Sequence, residues 1–252
     1  MRARSLRLLA AAGAIALFAA ACGGGGDDRP TIGSQSRPGD TTTSVADYIH
    51  YAAQPLGDSV QVYETPDTTS PAQDFPNPWL LDNNPKNAVP QVFLVEEQQP
   101  EWVNVLLPVR PNGTTGWIKK SDVRLTPIRY RIEVDRALHR ITVYDGDQVM
   151  LQEPVAVGKE STPTPTGRYY LRVLLKAPDP TTVYGPYAYG LSGHSEVLEE
   201  FNGGDAELGI HGNNDASVLG QSVSAGCIRM ANESITRLAG ILPLGTPVEI
   251  VD

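Results

Sequence analysis

From residue 128 onward the apolar residues fall on every second position, and this constrains the fold more than any other feature of the chain. In "RYRIEVDRALHRITVYDGDQVMLQEPVAVG", Ile132 and Val134, then Ile141 and Val143, then Val149 and Leu151 keep the alternation. A period of two sends successive side chains to opposite faces, so the stretch predicts strand, turn, strand, turn, strand. Asp145-Gly146 is a hairpin signal. "STPTPTG" then forces an extended or turning backbone, because proline fixes φ and biases its predecessor away from helix. "RYYLRVLL" reads as a further strand and "TPVEIV" as a closing one. Between them "NESITRLAGIL" is the best helix, with Asn232 as N-cap and Ile235, Leu238 and Leu242 on one face. The 21 prolines and 24 glycines of the 252-residue chain agree with strands and turns over long helices. The expectation for 128–252 is a mainly β domain with one short helix.

Residues 58–126 read as a separate small β unit. "SVQVYETP" alternates into a turn, "VFLV" and "WVNVLL" are apolar runs, and "PVRPNG" separates the latter from "TGWIKKSDVRL". Short strands joined by Gly, Asn and Pro turns suggest a small barrel. The pattern resembles bacterial Src-homology-3-like domains. Trp102 and Trp117 are expected in its core, with a ligand groove as the rival reading.

The first 22 residues, "MRARSLRLLAAAGAIALFAAAC", run from basic to apolar to small, the order of a secretory signal. Two processing readings compete. Ala19-Ala20-Ala21 satisfies an ordinary small-x-small cleavage site, yet Cys22 follows at once and "GGGGDD" after it. That arrangement resembles a bacterial lipoprotein signal, in which the cysteine after the cut receives lipid, and this reading is preferred although Ala19 stands where leucine is usual. Residues 1–21 are then a signal peptide, and Cys22 through residue 57 a lipidated, Gly/Pro/Ser/Thr-rich tether. The expected location is the cell envelope, membrane-anchored and facing the cell wall. A net charge of -9 with no basic patch excludes nucleic acid as a natural partner.

With Cys22 lipidated, Cys227 is the one remaining thiol of the chain in an oxidising compartment, and such a thiol calls for an explanation. His211 lies sixteen positions upstream. A thiol with a pKa of about 8.5 is mostly protonated at neutral pH, and a neighbouring imidazole that takes its proton leaves a strong nucleophile for carbonyl carbon. Gly226 allows close backbone approach, and N–H groups around Gly226 and Cys227 are candidate oxyanion donors. Arg229 offers a fixed cation for a substrate carboxylate or for lowering the thiol pKa. Taken singly, a lone cysteine is more often a small buried apolar residue and His-Gly-Asn-Asn a polar turn. A zinc site is not expected, since there is one available cysteine and four scattered histidines.

Taken together, "IHGNNDASVLGQSVSAGCIRM" resembles the signature of the L,D-transpeptidase catalytic domain of YkuD type. His211-Gly212, Ser224, Gly226, Cys227, Ile228, Arg229 and Met230 all match, and "TPTG", "GPYAYGLSGHS" and "GTPVEIV" extend the likeness over roughly 128–252. The resemblance implies an L,D-transpeptidase β-fold and a thiolate that attacks the third residue of a peptidoglycan stem tetrapeptide. D-Alanine leaves, and the acyl group passes to an amine of a neighbouring stem. By position it implies Cys227 as nucleophile, His211 as base and the Gly212 carbonyl as orienter, with Ser224 and Arg229 supporting. His194, Tyr189 and Asn213 are implied as substrate-binding residues. Stem peptides are the expected partners; no cofactor or metal is implied, and the chain is expected to act as a monomer. One position departs: Ala225 stands where the family most often has histidine. The rivals are an L,D-carboxypeptidase with water as acceptor, a sortase or papain-like peptidase, a catalytically silent wall-binding module, and a structural lipoprotein. The His-before-Cys order counts against the papain-like case, and the missing Thr-Leu-x-Thr-Cys strand against a sortase.

Overall fold

The computed structural model describes residues 49–81, 84–201 and 204–252. The signal, Cys22 and most of the tether lie outside the described residues.

The first part of the described chain contains nine strands: β1 (His50–Pro55), β2 (Ser59–Tyr63), β3 (Ala72–Pro76), β4 (Trp79–Leu80), β5 (Ala88–Val89), β6 (Phe93–Gln98), β7 (Trp102–Leu106), β8 (Thr115–Lys119) and β9 (Val123–Ile128). Seven of them form an antiparallel sheet in the order β3-β2-β8-β7-β6-β1-β9, and β4 pairs with β5 alone. The apolar runs seen in the sequence are β2, β6, β7 and β8. The strand β1 is a correction, because it falls inside the stretch 22–57 expected to be tether. Its sequence, His-Tyr-Ala-Ala-Gln-Pro, shows no alternation because neighbouring residues are buried on both sides. Ala53 joins the core of this sheet, while Ala52 packs with Val92 and Ile128 in a second cluster. The core of the sheet is built from Val60, Val62, Phe93, Val103, Val105 and Ile118 among others. The tryptophans expected there are not part of it. Trp102 and Trp117 alternate with Val103 and Ile118, so they fall on the opposite face and are half-buried. Tyr63 meets the Trp102 ring edge-on at 5.4 Å, and Lys119 lies over it.

The second part contains β10 (Tyr130–Asp135), β11 (Arg140–Asp145), β12 (Gln148–Pro154), β13 (Val157–Gly158), β14 (Gly167–Lys176), β15 (Tyr187–His194), β16 (Glu207–His211), β17 (Ser222–Ser224), β18 (Ile228–Arg229), α1 (Asn232–Ala239) and β19 (Pro247–Val251). An eight-stranded mixed sheet runs β12-β11-β10-β19-β14-β15-β16-β18, with β13 paired to β17 beside it. The expected meander is β10, β11 and β12, and the turn after Asp145 closes the second hairpin. Helix α1 buries Ile235 and Leu238 against this sheet's core, where Leu242 joins them from beyond the helix end. Asn232 is not its N-cap. Ala231 occupies that position without a side-chain hydrogen bond, and Asn232 is the first helical residue with its amide turned elsewhere. Burying the apolar faces of β10, β11, β14, β15 and β16 in one cluster, to which α1 adds Ile235 and Leu238, supplies the main apolar driving force of this part.

The two sheets touch at named places. Tyr170 of β14 is buried with Leu94 and Leu106 of the first sheet, and Arg168 pairs with Glu96 at 2.9 Å. A turn of the first sheet, between β7 and β8, reaches the segment that follows β15.

Candidate active site

The strand β16 ends at His211, and β18 lies parallel to it in a register that sets Ile210 against Ile228 and His211 against Arg229. Alternation sorts the residues of β16. Leu208 and Ile210 face the core, so Glu207, Gly209 and His211 face the other side. On that side lies a cavity of about 150 Å³ whose wall includes His211, Cys227, Arg229, Ser224 and Ala225. Tyr184, Leu198 and Phe201 close it from the connecting segments.

His211 is 3% exposed. Its Nδ1 lies 2.6 Å from the Gly212 carbonyl oxygen. A carbonyl only accepts, so Nδ1 carries the proton and Nε2 presents its lone pair. Burial, aided by the Arg229 guanidinium, drives the imidazole pKa down from 6.5 to about 4, against the opposing pull of the Gly212 carbonyl. The Tyr184 ring covers the imidazole at 5.0 Å between centroids. Gly212 is required by space: a Cβ there would sit 2.2 Å from Asn232 Oδ1. That oxygen accepts from the Asn213 N–H at 2.8 Å, which explains why Asn232 is unavailable to cap α1.

Cys227 follows β17 through Ala225 and Gly226. Gly226 has φ +126, in the region that favours glycine. The loop is held by hydroxyls. Ser224 Oγ donates to the Cys227 carbonyl at 2.6 Å and accepts from the Gly226 N–H at 3.1 Å. Thr164 Oγ1 accepts from the Gly158 N–H at 2.8 Å and donates to the Gly226 carbonyl at 2.7 Å. Thr162 Oγ1 donates to the Ser224 carbonyl at 3.2 Å. Burial pushes the thiol pKa up, while a hydrogen bond from the Gly209 backbone and the charge of Arg229 pull it down. For both groups burial is the largest cause of the shift, and it favours the uncharged form. Arg229 lines the same cavity, its charge acts on both groups, and its Nε is buried without a hydrogen-bond partner among the described residues.

Of the residues expected at the site, Cys227, His211, Ser224, Gly226, Gly212 and Arg229 are brought together. Three others are not among the residues that line this cavity. Tyr189 pairs with Ile210 and shares its core face; it is 1% exposed, and its hydroxyl donates to the Leu238 and Leu242 carbonyls at 3.0 and 3.1 Å. Burial pushes that phenol up to about 12. Asn213 is a buried brace whose Nδ2 donates to the Met230 carbonyl at 2.7 Å. His194 lies outside the cavity wall, buried, with Nε2 3.1 Å from Asp205 Oδ2; burial keeps its pKa below the ordinary value despite that carboxylate. The Gly226 N–H is also no free oxyanion donor, because Ser224 Oγ occupies it. Two residues escaped the sequence reading. Tyr184 comes from the connection before β15, and only the Tyr-Gly-Pro turn hinted at a fixed position. Thr164 was visible inside "TPTG" but not as a brace, since one of its partners, Gly226, lies 62 positions away. Among the described residues no three His, Cys, Asp or Glu side chains gather in a way that would hold a metal ion.

A mainly β domain that turns a half-buried cysteine and a buried, oriented histidine into one cavity defines a thiol–imidazole site. The sequence model of the L,D-transpeptidase catalytic domain (YkuD) matches residues 129–250. The chain is 37% identical over 152 residues to the Bacillus licheniformis protein named "Putative L,D-transpeptidase YkuD", which covers 58% of this chain and 84% of that protein. A Bacillus subtilis protein of the same name is 37% identical over 123 residues, 49% of this chain and 66% of its own length. Among solved structures, an L,D-transpeptidase from Mycobacterium smegmatis is similar over 65% of this chain and 90% of its own, at 14% identity and TM-score 0.40. A Bdellovibrio bacteriovorus protein, Bd1075, is similar over 49% of this chain and 48% of its own, at 29% identity and the same TM-score of 0.40. The chain belongs to the YkuD family of L,D-transpeptidase catalytic domains.

Proposed function

We propose that this chain is a cysteine-dependent peptidoglycan L,D-transpeptidase. The observation that carries the reading is one cavity holding the Cys227 thiol and a His211 imidazole whose Nδ1 is committed to Gly212. His211 Nε2 takes the thiol proton as Sγ bonds to the carbonyl carbon of the third stem residue. The proton passes to the nitrogen of the departing D-alanine as the C–N bond breaks, leaving a thioester. An amine of a second stem then attacks that thioester and gives its proton to His211. The Cys227 sulfur leaves as thiolate and recovers a proton, and the new bond joins two third residues. Water in place of the amine gives carboxypeptidase turnover. Arg229 supplies a cation for a substrate carboxylate and stabilises the thiolate as it forms. On this reading proton transfer to His211 accompanies the attack by Cys227.

On the same reading residues 1–21 are the export signal and Cys22 the lipid anchor that holds a monomer in the cell envelope. Residues 58–126 are a Src-homology-3-like unit and 128–252 the catalytic domain. The test is intact mass after incubation with a purified tetrapeptide muropeptide. The wild-type chain is expected to gain the acyl tripeptide and release D-alanine, and Cys227→Ala to gain nothing. An unmodified wild-type mass with no D-alanine released would defeat the proposal.

A further inference from the structure

The turn between β7 and β8 belongs to the first sheet, yet its polar side chains are spent on the second. Arg110 Nη1 donates to the Ser195 carbonyl at 2.5 Å, and Nη2 to the Leu198 and Asp205 carbonyls at 3.1 and 3.2 Å. Its Nε donates to Asp205 Oδ1 at 3.2 Å. Asn112 adds a reciprocal pair: Nδ2 donates to the His194 carbonyl at 2.8 Å, and Oδ1 accepts the His194 N–H at 2.9 Å. Asp205 Oδ2 returns to His194 Nε2 at 3.1 Å. These contacts fall on both limbs of the segment that joins β15 to β16. The same segment supplies Ser195, Leu198, Phe201 and Ala206 to the wall of the cavity that holds Cys227 and His211.

Three of the four Arg110 bonds go to main-chain carbonyls, so they fix the path of the backbone and not one side chain. A guanidinium is suited to this, since its five N–H groups form a rigid planar fork. Among its described residues the segment also holds itself by local bonds: Phe201 and Gly204 exchange backbone hydrogen bonds at 2.9 and 3.0 Å, and the Ala206 N–H donates to the Gly204 carbonyl at 2.9 Å. The Ser195 N–H reaches the Ala206 carbonyl at 2.9 Å, and Ser195 Oγ accepts from the N–H groups of Val197 and Leu198. Leu198 and Phe201 are otherwise carried on exposed chain, Phe201 at 42% exposure.

We propose that Arg110 and Asn112 are positioning residues for the substrate pocket, through which the first sheet sets the shape of the wall opposite the nucleophile. Neither touches the reacting atoms. This inference rests on the reading above that the cavity receives the stem peptide. The wall then decides how tightly that peptide is held, while the Thr164 and Ser224 braces separately fix the nucleophile loop.

The test uses the full chain with Arg110→Ala, Arg110→Lys and Asn112→Ala. Three readouts are taken: steady-state kinetics with a tetrapeptide muropeptide, alkylation of Cys227 by iodoacetamide, and amide hydrogen exchange over 195–201. Arg110→Ala is expected to raise KM by about tenfold with kcat nearly unchanged, the signature of lost binding without lost chemistry. Exchange at Val197 and Leu198 accelerates, and iodoacetamide, too small to need the wall, reacts at the wild-type rate. Arg110→Lys keeps the charge but not the fork and restores less than half of the loss; Asn112→Ala moves the same readouts to a smaller extent. The proposal is overturned by an unchanged KM in Arg110→Ala. It is also overturned if kcat, alkylation rate and thermal midpoint all fall together, which would make the contact general glue. If the wild-type chain turns over no muropeptide, the functional reading fails by itself. Exchange over 195–201 then still decides whether Arg110 holds the wall.

Discussion

His211 illustrates how a single residue's surroundings choose its chemistry. Its ring is buried, its Nδ1 proton is fixed on Gly212, and its pKa is driven from 6.5 to about 4. The imidazole therefore stays a free base well below neutral pH, and the acid limb of the rate profile is expected near pH 4. Stability carries the same signature. The unfolded chain takes up this proton near pH 6.5 and the folded chain only near 4, so the contribution of a neutral His211 is whole above 6.5 and drains away as pH falls toward 4. Urea unfolding at pH 7 and pH 4.5 should show His211→Asn losing about 2 kcal/mol less than wild type between the two conditions. An equal loss would contradict the pKa. At this scale the sequence was readable where spacing and chemistry coincide, as at Cys227 and His211. It was unreadable where the outcome depends on which face a strand turns inward. Tyr189 sits one register step from Ala188, the partner of His211, yet that step moves its ring to the core and its hydroxyl to the end of α1.

Among elements, the short parallel pair β13–β17 and the turn after it make the seat of Cys227. Thr164 is the connecting bolt: buried at 1% exposure, it accepts from Gly158 and donates to Gly226. Thr164→Val keeps the shape and removes both bonds, leaving a buried N–H and a buried carbonyl unsatisfied. The expected cost is about 2–4 kcal/mol of unfolding free energy by urea titration, with Thr164→Ser close to wild type. Cys227 alkylation should slow or lose its single-exponential course in the valine variant; an unchanged rate and stability would show the brace to be dispensable. The strands that alternate cleanly, β10, β11 and β2, were legible for that reason. By contrast, β1 has buried neighbours on both faces, and β3 carries one buried residue in five, so neither shows a periodic signal. The helix was legible from Ile235 and Leu238, but its cap was not, because Asn232 is claimed by a loop nineteen residues earlier.

In the whole molecule, the sheets meet over Tyr170, Leu94 and Leu106. The Tyr170 hydroxyl is buried there with no hydrogen-bond partner, and burial holds it in the neutral form. An unpaired buried hydroxyl is a standing cost, so Tyr170→Phe is expected to be neutral or to stabilise by about 1 kcal/mol, read as a higher midpoint in thermal unfolding. A clear loss of stability would mean that the hydroxyl has a partner in solution. No pattern within either half of the sequence announces this junction, nor the reach of Arg110 to Ser195 and Asp205, because both depend on how two separately patterned sheets are set against each other.

The strand β19 lies in the interior of the eight-stranded sheet, parallel to β10 on one side and antiparallel to β14 on the other. Within the eight-stranded sheet, the strands β12-β11-β10 and β14-β15-β16-β18 are thus joined through β19, residues 247–251. Until those residues are available, β10 and β14 each present an open edge, the kind of surface that recruits foreign strands. Closure of this sheet consequently waits on residues 247–251. The histidine, the cysteine and the braces around them can all have been synthesised while the sheet that carries them still lacks its keystone. A nascent or truncated chain ending before residue 247 is therefore expected to be exposed to degradation and self-association, and not merely to be slow.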